Sequence, residues 1–311
     1  MEIRQLRHFI AAAEAGNMRK ASESVHISHP ALSMSIKNLE TDLGVNLLHK
    51  NRRGVQMTYA GEQFLKSAHS LLRQIDDLRA SLQGSEDSPR GSVRLGIPYG
   101  LNNALAAPFF RLLSEKFPGI DLEIEEGNTT SLGNLYESGS IDLMINYDVV
   151  EKMDQKCEPL FEEQLYFVSA YDQSLEGVEE IELKDLADLP IVCSPGTNAI
   201  RITLEKYAFE QKVRFNLLQD FQSAHGSIKI AEANLANTIS PWDEIHDQVV
   251  ANLVSARRIV NPSIDRTVCL ISSLRETPSH AVSAVVGVIK EAMDIARKED
   301  RLRGKPVVEQ A

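Results

Sequence analysis

The residues best suited to chemistry are basic and hydrogen-bonding side chains concentrated in residues 1–60, which we call the head. Eight Lys or Arg residues stand there against five acidic residues, a net charge of +3, whereas residues 91–311 carry a net charge of −13. Positive side chains neutralise phosphates and supply the sequence-independent part of nucleic-acid affinity. A polyanion would therefore be attracted to the head and repelled by the remainder, although the whole chain carries −11.

Catalytic patterns are missing from the sequence. It contains no GxSxG, GxxxxGK[ST], HExxH or GxGxxG spacing, the arrangements that position a nucleophile, a phosphate, zinc or a dinucleotide. The three cysteines, Cys157, Cys193 and Cys269, form no CxxC pair and indicate neither a disulfide framework nor a metal site. We therefore expect no catalytic residue, no metal and no cofactor.

Length and composition predict several domains and a cytoplasmic location. A chain of 311 residues exceeds the usual size of one hydrophobic core. Its longest apolar stretch, near Ala281–Ile289, is too short to span a bilayer. The first residues lack the apolar segment of a secretory signal. We expect no membrane partner.

The head is predicted to contain a helix-turn-helix. Apolar residues at spacings of three and four predict a first helix over Ile3–Ala15, and a second fits Met18–Val25. A third starts at Pro30, behind a cap at Ser28 or His29, and runs to Leu43. The second helix of such a pair enters the major groove, unless the pair is an ordinary helical hairpin. On the third helix, the side chains expected to face outward are Ser33, Met34 and Lys37.

A basic β-hairpin, or wing, is predicted over Lys50–Thr58, and a further helix follows it. That helix contains a heptad seam that needs a partner helix. The partner is either the head itself or, as we expect, the same helix of a second subunit. Dimerisation would place two DNA-reading helices on one face of a duplex, so the site should be an interrupted inverted repeat. The seam residues are Phe64, Ala68, Leu71, Ile75, Leu78 and Leu82.

The chain is thus expected to divide into a winged helix-turn-helix at 1–60, a dimerising linker helix and hinge at 61–90, and an effector domain at 91–311. Strands and helices alternate from Ser92 onward in a βαβαβ order that predicts a parallel sheet. A second lobe is expected at about 161–265, with the first lobe formed by about 91–160 and 266–300.

Ligands of parallel sheets bind beyond the carboxyl ends of the strands, where helix N-termini present free N–H groups. Three loops of this kind are expected to bind a small-molecule effector between the lobes, although each residue could equally serve only as a helix cap. Arg201 would pair with a carboxylate, as in a small organic acid, or lie solvated at the surface. The effector-binding candidates are Tyr99, Gly100, Asn102, Thr129, Thr130, Thr197, Asn198 and Arg201.

The sequence resembles the LysR-type transcriptional regulators over nearly its whole length. The residues that carry this resemblance are Leu6-Arg7-His8-Phe9, Ala21, Ser28-His29-Pro30-Ala31-Leu32-Ser33, Ile36, Leu39-Glu40, Leu43-Gly44, Arg52-Arg53-Gly54-Val55, Thr58 and Gly61-Glu62.

The resemblance implies an α/β protein with an all-α, winged N-terminal domain, a long linker helix, and a two-lobed, Rossmann-like effector domain similar to periplasmic binding proteins. It further implies a homodimer or homotetramer that binds double-stranded DNA, with RNA polymerase as a further partner. In this family the start of the recognition helix touches bases, so the resemblance implies DNA contacts by Ser28, His29, Pro30, Ser33, Met34 and Lys37. Arg52 and Arg53 would contact the minor groove and phosphates from the wing.

Two positions depart from the family pattern, because relatives usually have glutamine in place of His29 and often arginine in place of Met34. Methionine offers a base only apolar contact, so the preferred half-site should differ from that of a typical relative. Two other functions remain open at this point: a solute-binding module without a regulatory role, and an enzyme that uses the α/β cleft.

Overall fold

The computed structural model describes residues 1–51, 54–83, 88–148, 155–196, 198–273 and 278–305. The helices are α1 Ile3–Ala15, α2 Met18–Ser24, α3 His29–Leu43, α4 Tyr59–Gln83, α5 Tyr99–Lys116, α6 Thr129–Glu137, α7 Ala199–Gln211, α8 Ala224–Glu232, α9 Trp242–Val250 and α10 His280–Lys298. The strands are β1 Leu48–Asn51, β2 Gly54–Met57, β3 Gly91–Pro98, β4 Ile120–Gly127, β5 Leu143–Tyr147, β6 Gln155–Ala170, β7 Glu180–Glu182, β8 Pro190–Cys193, β9 Asn216–Asp220, β10 Thr238–Pro241, β11 Val254–Val260 and β12 Asp265–Ser273.

The head folds as three helices followed by the wing formed by β1 and β2. Each of α1, α2 and α3 begins and ends within one residue of its predicted bounds. Local hydrogen bonds explain the agreement, because Asn17 accepts backbone N–H groups at the start of α2 and Ser28 does so at the start of α3. The wing begins at Leu48, two residues earlier than predicted.

One eight-stranded sheet runs through the C-terminal part of the chain. Strand β3 pairs in parallel with β4 and β5, as the βαβαβ order predicts. Parallel pairing ends at β5, because β12 pairs antiparallel with both β5 and β6. The chain thus returns to this sheet from a distant segment instead of through another crossover helix.

Strand β6 connects two lobes. Its residues up to Gln164 pair with β12, and Leu165 onward pairs with β10 and β11. Lobe I therefore contains β3, β4, β5, β12 and the first part of β6, with α5, α6 and α10. Lobe II contains the second part of β6 with β7–β11 and α7–α9. Within β6, only Gln164–Val168 is recognisable from the sequence as a strand, because the alternation of apolar and polar residues is weak in the rest of β6.

Separate hydrophobic cores stabilise the head and the two lobes. Leu6, Phe9 and Leu39 lie in one of the head's cores. Lobe I buries one face of α5 and α10 against its sheet, and lobe II packs α7 against β6 and β8. Across the described ranges, no helix is both long and apolar enough to cross a membrane.

Candidate functional site

Helix α3 presents one apolar face to the head and one polar face to solvent. Leu32, Ile36 and Leu39 are buried at helical spacing, so they fix the rotation of the helix. On the opposite side His29 and Lys37 are exposed, and Met34 retains 59% of its accessible surface. Of the other predicted DNA contacts, Ser28 and Pro30 lie exposed at the start of α3, and Ser33 is half-buried. We call α3 the recognition helix.

Asn38 is an additional candidate that the sequence reading missed. It is exposed on the recognition helix, four residues after Met34 and beside Lys37. Residues four apart on a helix share a face, and an asparagine amide can bind adenine bidentately. The spacing from Met34 was the signal that could have identified it.

The back of the recognition helix is held by a hydrogen bond to α1. His8 Nδ1 and Ser35 Oγ lie 2.7 Å apart. Burial lowers the pKa of His8, and the nearby positive charge of Arg4 lowers it further. The imidazole is therefore favoured in its neutral form, which suits an interhelical hydrogen bond inside the head.

The far end of the recognition helix is joined to the wing. Glu40 Oε1 accepts the backbone N–H groups of Leu47 and Leu48, at 2.8 and 3.0 Å. A carboxylate that accepts backbone N–H groups forms a charge-assisted hydrogen bond, which is stronger than a neutral one. This contact sets the position of β1 relative to α3.

The wing also docks against the turn between α1 and α2. Val55 donates its backbone N–H to the Gly16 carbonyl at 2.9 Å. Gly54 has a φ of +137°, and a Cβ there would lie 2.3 Å from the Gly16 oxygen. The close approach thus requires glycine at position 54. Arg52 and Arg53, the predicted phosphate contacts, lie outside the described residues.

The predicted dimerisation seam of α4 divides into two parts. Phe64 packs edge-on against Phe9 with ring centroids 5.2 Å apart, and Ala68 is fully buried in the same core. These two residues pack within their own head, so their assignment to a dimer interface needs correction. Further along, Leu71 and Leu78 retain 38% and 59% of their surface. Ile75, also in the second part, is half-buried, and the Leu82 side chain lies outside the described residues.

The candidate effector loops of lobe I meet at one edge of the sheet. Pro98 at the end of β3 lies opposite Gly127 at the end of β4, so the loops that follow are adjacent. In those loops Tyr99 and Thr130 are exposed, and Thr129 is half-buried. A further residue, the buried Asn146 of β5, donates its side-chain N–H to the Thr129 carbonyl at 3.1 Å.

Two predicted effector-binding residues of lobe I have intramolecular roles. The Asn102 amide donates to Glu126 Oε1 at 2.6 Å, which links α5 to β4. Gly100 lies against lobe II, because a Cβ there would be 2.8 Å from Asp243 Oδ2. Gly100 is therefore a contact point between the lobes.

The lobe II candidates are also engaged within the chain. Asn198 caps α7 by accepting the Ile200 N–H at 2.9 Å. Arg201 pairs with Glu205 at 2.6 Å and with Asp220 at 3.2 Å. Arg201 therefore has two carboxylate partners within the chain, and its pairing with an effector stays a prediction. Thr197 lies outside the described residues.

A charged group that the sequence reading missed lies where β6 leaves lobe I. Glu163 of β6 and Arg266 of β12 are directly opposite in register, both buried, and joined by an ion pair. The Arg266 guanidinium stacks over Tyr147, 3.5 Å from the ring centroid. No spacing in the sequence singles out this pair, because β6 also contains Lys156, Glu158 and Glu162, and Asp265 precedes Arg266 in β12. Among the residues whose positions are described, no group of His, Cys, Asp or Glu is arranged to hold a metal ion.

Two family models match the chain. The model described as "Bacterial regulatory helix-turn-helix protein, lysR family" matches residues 3–62, and "LysR substrate binding domain" matches residues 86–294. The chain belongs to the LysR family of transcriptional regulators. The resemblance seen in the sequence is confirmed.

Curated LysR relatives match most of the chain. It is 23% identical over 302 residues to the nitrogen assimilation regulatory protein nac of Klebsiella aerogenes, covering 97% of this chain and 98% of the relative. It is 28% identical over 210 residues to the transcriptional dual regulator OxyR of Escherichia coli, covering 68% and 69%.

Solved LysR structures have the same fold. A cysteine variant of full-length OxyR from Pseudomonas aeruginosa is similar with a TM-score of 0.72, at 21% identity over 94% of this chain and 97% of that one. CbnR in complex with its target DNA is similar with a TM-score of 0.67, at 22% identity over 94% and 100%. The predicted fold class, a winged head joined to an effector domain, is confirmed.

Membership of the LysR family decides the general function. The protein is a DNA-binding transcriptional regulator with an effector-binding domain, as the sequence predicts. The curated relatives are transcriptional regulators and not enzymes. Binding to DNA and to a small-molecule effector, together with self-association, are the family's properties.

Proposed function

We propose that this LysR regulator reads its operator with the exposed face of the recognition helix. The observation that carries this proposal is the division of α3 into a buried apolar face and an exposed face with His29, Met34 and Lys37. A helix held in this way presents its first turns to the major groove. The location that fits this role is the cytoplasm, where the operator and RNA polymerase are present.

The chemistry of this face predicts an unusual half-site. Met34 can contact the methyl group of thymine, whereas His29 can make one hydrogen bond to a base edge. Lys37 supplies a positive charge for guanine or a phosphate. Ser28, Pro30 and Ser33 position the start of the helix, and Arg52 and Arg53 of the wing bind phosphates and the minor groove.

Self-association follows from the second part of the α4 seam. Leu71 and Leu78 are exposed on a helix whose first turns already pack on the head. A parallel or antiparallel copy of α4 would cover them, with Ile75 between and Leu82 beyond. Two heads on one duplex fit an interrupted inverted repeat, and a second interface would give a tetramer.

The effector is proposed to bind beside the N-terminal turns of α5 and α6. Tyr99, Gly100, Asn102, Thr129 and Thr130 belong to these turns in lobe I, and the lobe II candidates are Thr197, Asn198 and Arg201. Free N–H groups at a helix N-terminus favour an anionic oxygen, so a small organic acid is the proposed class. For Arg201 to bind this acid, the effector carboxylate would replace Glu205 or Asp220 as its partner.

Peroxide sensing, which the names of some relatives denote, is not proposed for Cys193. Cys193 is buried, and burial raises the pKa of its thiol. A reactive cysteine needs a lowered pKa, because the thiolate is the nucleophile.

The experiment selects the preferred operator from random duplexes and compares variants on that operator and on unrelated DNA. His29→Ala should reduce discrimination by about 1–3 kcal/mol. Arg53→Ala should weaken binding to all sequences and flatten its dependence on salt. Lys212→Ala, a change to an exposed lysine in lobe II, is the matched control. Equal losses on both DNAs in the His29 variant would overturn its role in reading bases.

A further inference from the structure

Four charged groups are packed together where lobe I meets lobe II. They are Glu163 on β6, Arg266 on β12, and Asp243 and Glu244 in the first turn of α9. Three carboxyl groups thus share one guanidinium, and Glu163 already pairs with it. Glu244 accepts a hydrogen bond from the Ser240 hydroxyl at 2.7 Å. Among the three carboxyl groups, Asp243 is therefore the one whose negative charge is least neutralised by neighbouring groups.

The environment of Asp243 does not suit an ionised carboxylate. The residue retains 2% of its accessible surface, and neither carboxylate oxygen has a hydrogen-bond partner. An ionised carboxylate buried without donors is costly, and such groups ordinarily become neutral. Glu163 Oε1, a second buried oxygen of the cluster, also has no partner. The cluster thus has fewer donors than its charges require.

Asp243 also lies at the contact between the lobes. Its Oδ2 would be 2.8 Å from a Cβ placed on Gly100, so α9 of lobe II approaches the first turn of α5 of lobe I without space for a side chain.

We propose that Asp243 holds a proton at neutral pH and acts as a pH-sensitive latch between α5 of lobe I and α9 of lobe II. Loss of the proton adds the negative charge of Asp243 beside the carboxyl groups of Glu163 and Glu244. The resulting repulsion loosens the contact between α5 and α9. Burial, followed by repulsion from Glu163 and Glu244, raises the pKa of Asp243 well above its ordinary value, and Arg266 opposes this shift.

The other titratable and charged groups around the latch are Glu163, Glu244, Tyr147, Asp148 and Arg266. Burial also raises the pKa values of Glu163 and Glu244. Tyr147 of β5 is a buried phenol whose pKa burial raises, so it contributes no charge. Asp148, which follows β5, adds negative charge near Glu163. Arg266 is the cation that faces this group within the described residues, and its charge is shared.

Infrared spectroscopy of the full-length wild-type protein tests the proposal without any substitution. At pH 6 we expect a carbonyl band of a protonated carboxylic acid, which exposed carboxyl groups do not give because they are already ionised, and this band should weaken as pH rises. Asp243→Asn should remove the Asp243 component of the band at pH 6, whereas Asp121→Asn, a change to an exposed residue of β4, should leave the band unchanged. A wild-type spectrum without the band at pH 6 would overturn the proposal, as would a band of unchanged intensity in Asp243→Asn.

Hydrogen exchange measures the latch itself. After correction for the intrinsic effect of pH on exchange, amides in the first turns of α5 and α9 should lose protection in the wild type as pH rises. In Asp243→Asn, which stays neutral, protection should change little. The same pH dependence in both proteins would contradict the latch. These measurements need neither DNA nor an effector, so their failure is separate from failure of the proposed function.

Discussion

The Glu40 carboxylate accepts the backbone N–H of Leu47 at 2.8 Å, and so connects the end of the recognition helix to the first strand of the wing. The same oxygen accepts the Leu48 N–H. One side chain therefore fixes the position of the wing relative to the recognition helix, the two elements of the head that we propose to contact DNA.

Replacing Glu40 should separate these elements. Glu40→Ala leaves two backbone donors without their partner, and we expect the head to lose about 1–3 kcal/mol of stability. Affinity for the operator should fall together with affinity for unrelated DNA, because the wing is displaced. Titration by fluorescence anisotropy and hydrogen exchange of head amides measure both effects. Glu23→Ala removes an exposed carboxylate and should change neither.

Gly54→Ala should displace the wing from the turn between α1 and α2. A Cβ at this position would lie 2.3 Å from the Gly16 oxygen, and the φ of +137° is strained for alanine. We expect a cost of more than about 1 kcal/mol and weaker binding to all DNA sequences. Gly133→Ala, where a Cβ meets open space in α6, is the control for thermal unfolding. Full DNA affinity in the Gly54 variant would contradict the docking.

Acid should destabilise the head through His8. Burial lowers the pKa of His8 in the folded chain below its unfolded value, so the folded state binds fewer protons. The stabilisation is present above the unfolded pKa of about 6.5 and is lost as pH falls through the lowered pKa. His8→Gln should reduce this loss, measured as protection of head amides between pH 7 and pH 5. His49→Gln, a change to an exposed residue of β1, should keep the wild-type profile.

Leu78→Gln should weaken self-association without unfolding the chain. Leu78 is 59% exposed in a single chain, so its replacement removes little internal packing. Burial of a leucine contributes about 1.5–3 kcal/mol, which corresponds to a loss of dimer affinity on the order of tenfold or more. Analytical ultracentrifugation measures the change. Val178→Gln, an exposed apolar position in lobe II, should leave association unchanged, and an unaltered Leu78 variant would remove α4 from the interface.

Local patterns made the head predictable from the sequence. Caps such as Ser28, the glycine that ends α3 and the apolar spacing of Leu32, Ile36 and Leu39 act within a few residues, so the helix bounds follow directly. The contacts of Glu40 with Leu47 and of Gly54 with Gly16 depend on how these elements pack together. No spacing of residues in the sequence predicts these two contacts.

The effector domain was less predictable because its key contacts join distant residues. Glu163 and Arg266 are 103 positions apart, and their pairing follows from the return of β12 to the sheet. Arg201 pairs with Asp220 on β9, a contact that no local spacing in the sequence predicts. The α4 seam was read correctly as apolar, but its periodicity could not show that Phe64 and Ala68 already have Phe9 and its neighbours as partners.

The sharing of β6 between both lobes has a mechanical consequence. The lobes are not joined by a flexible linker at this point, because Gln164 and Leu165 belong to one continuous strand that pairs with β12 on one side of the junction and with β10 on the other. Any change in the angle between the lobes must therefore twist or bend β6 at that point, and the hydrogen-bonded backbone would resist this deformation. An effector that changes the angle would do so against this resistance, and the strand would relax when the ligand leaves.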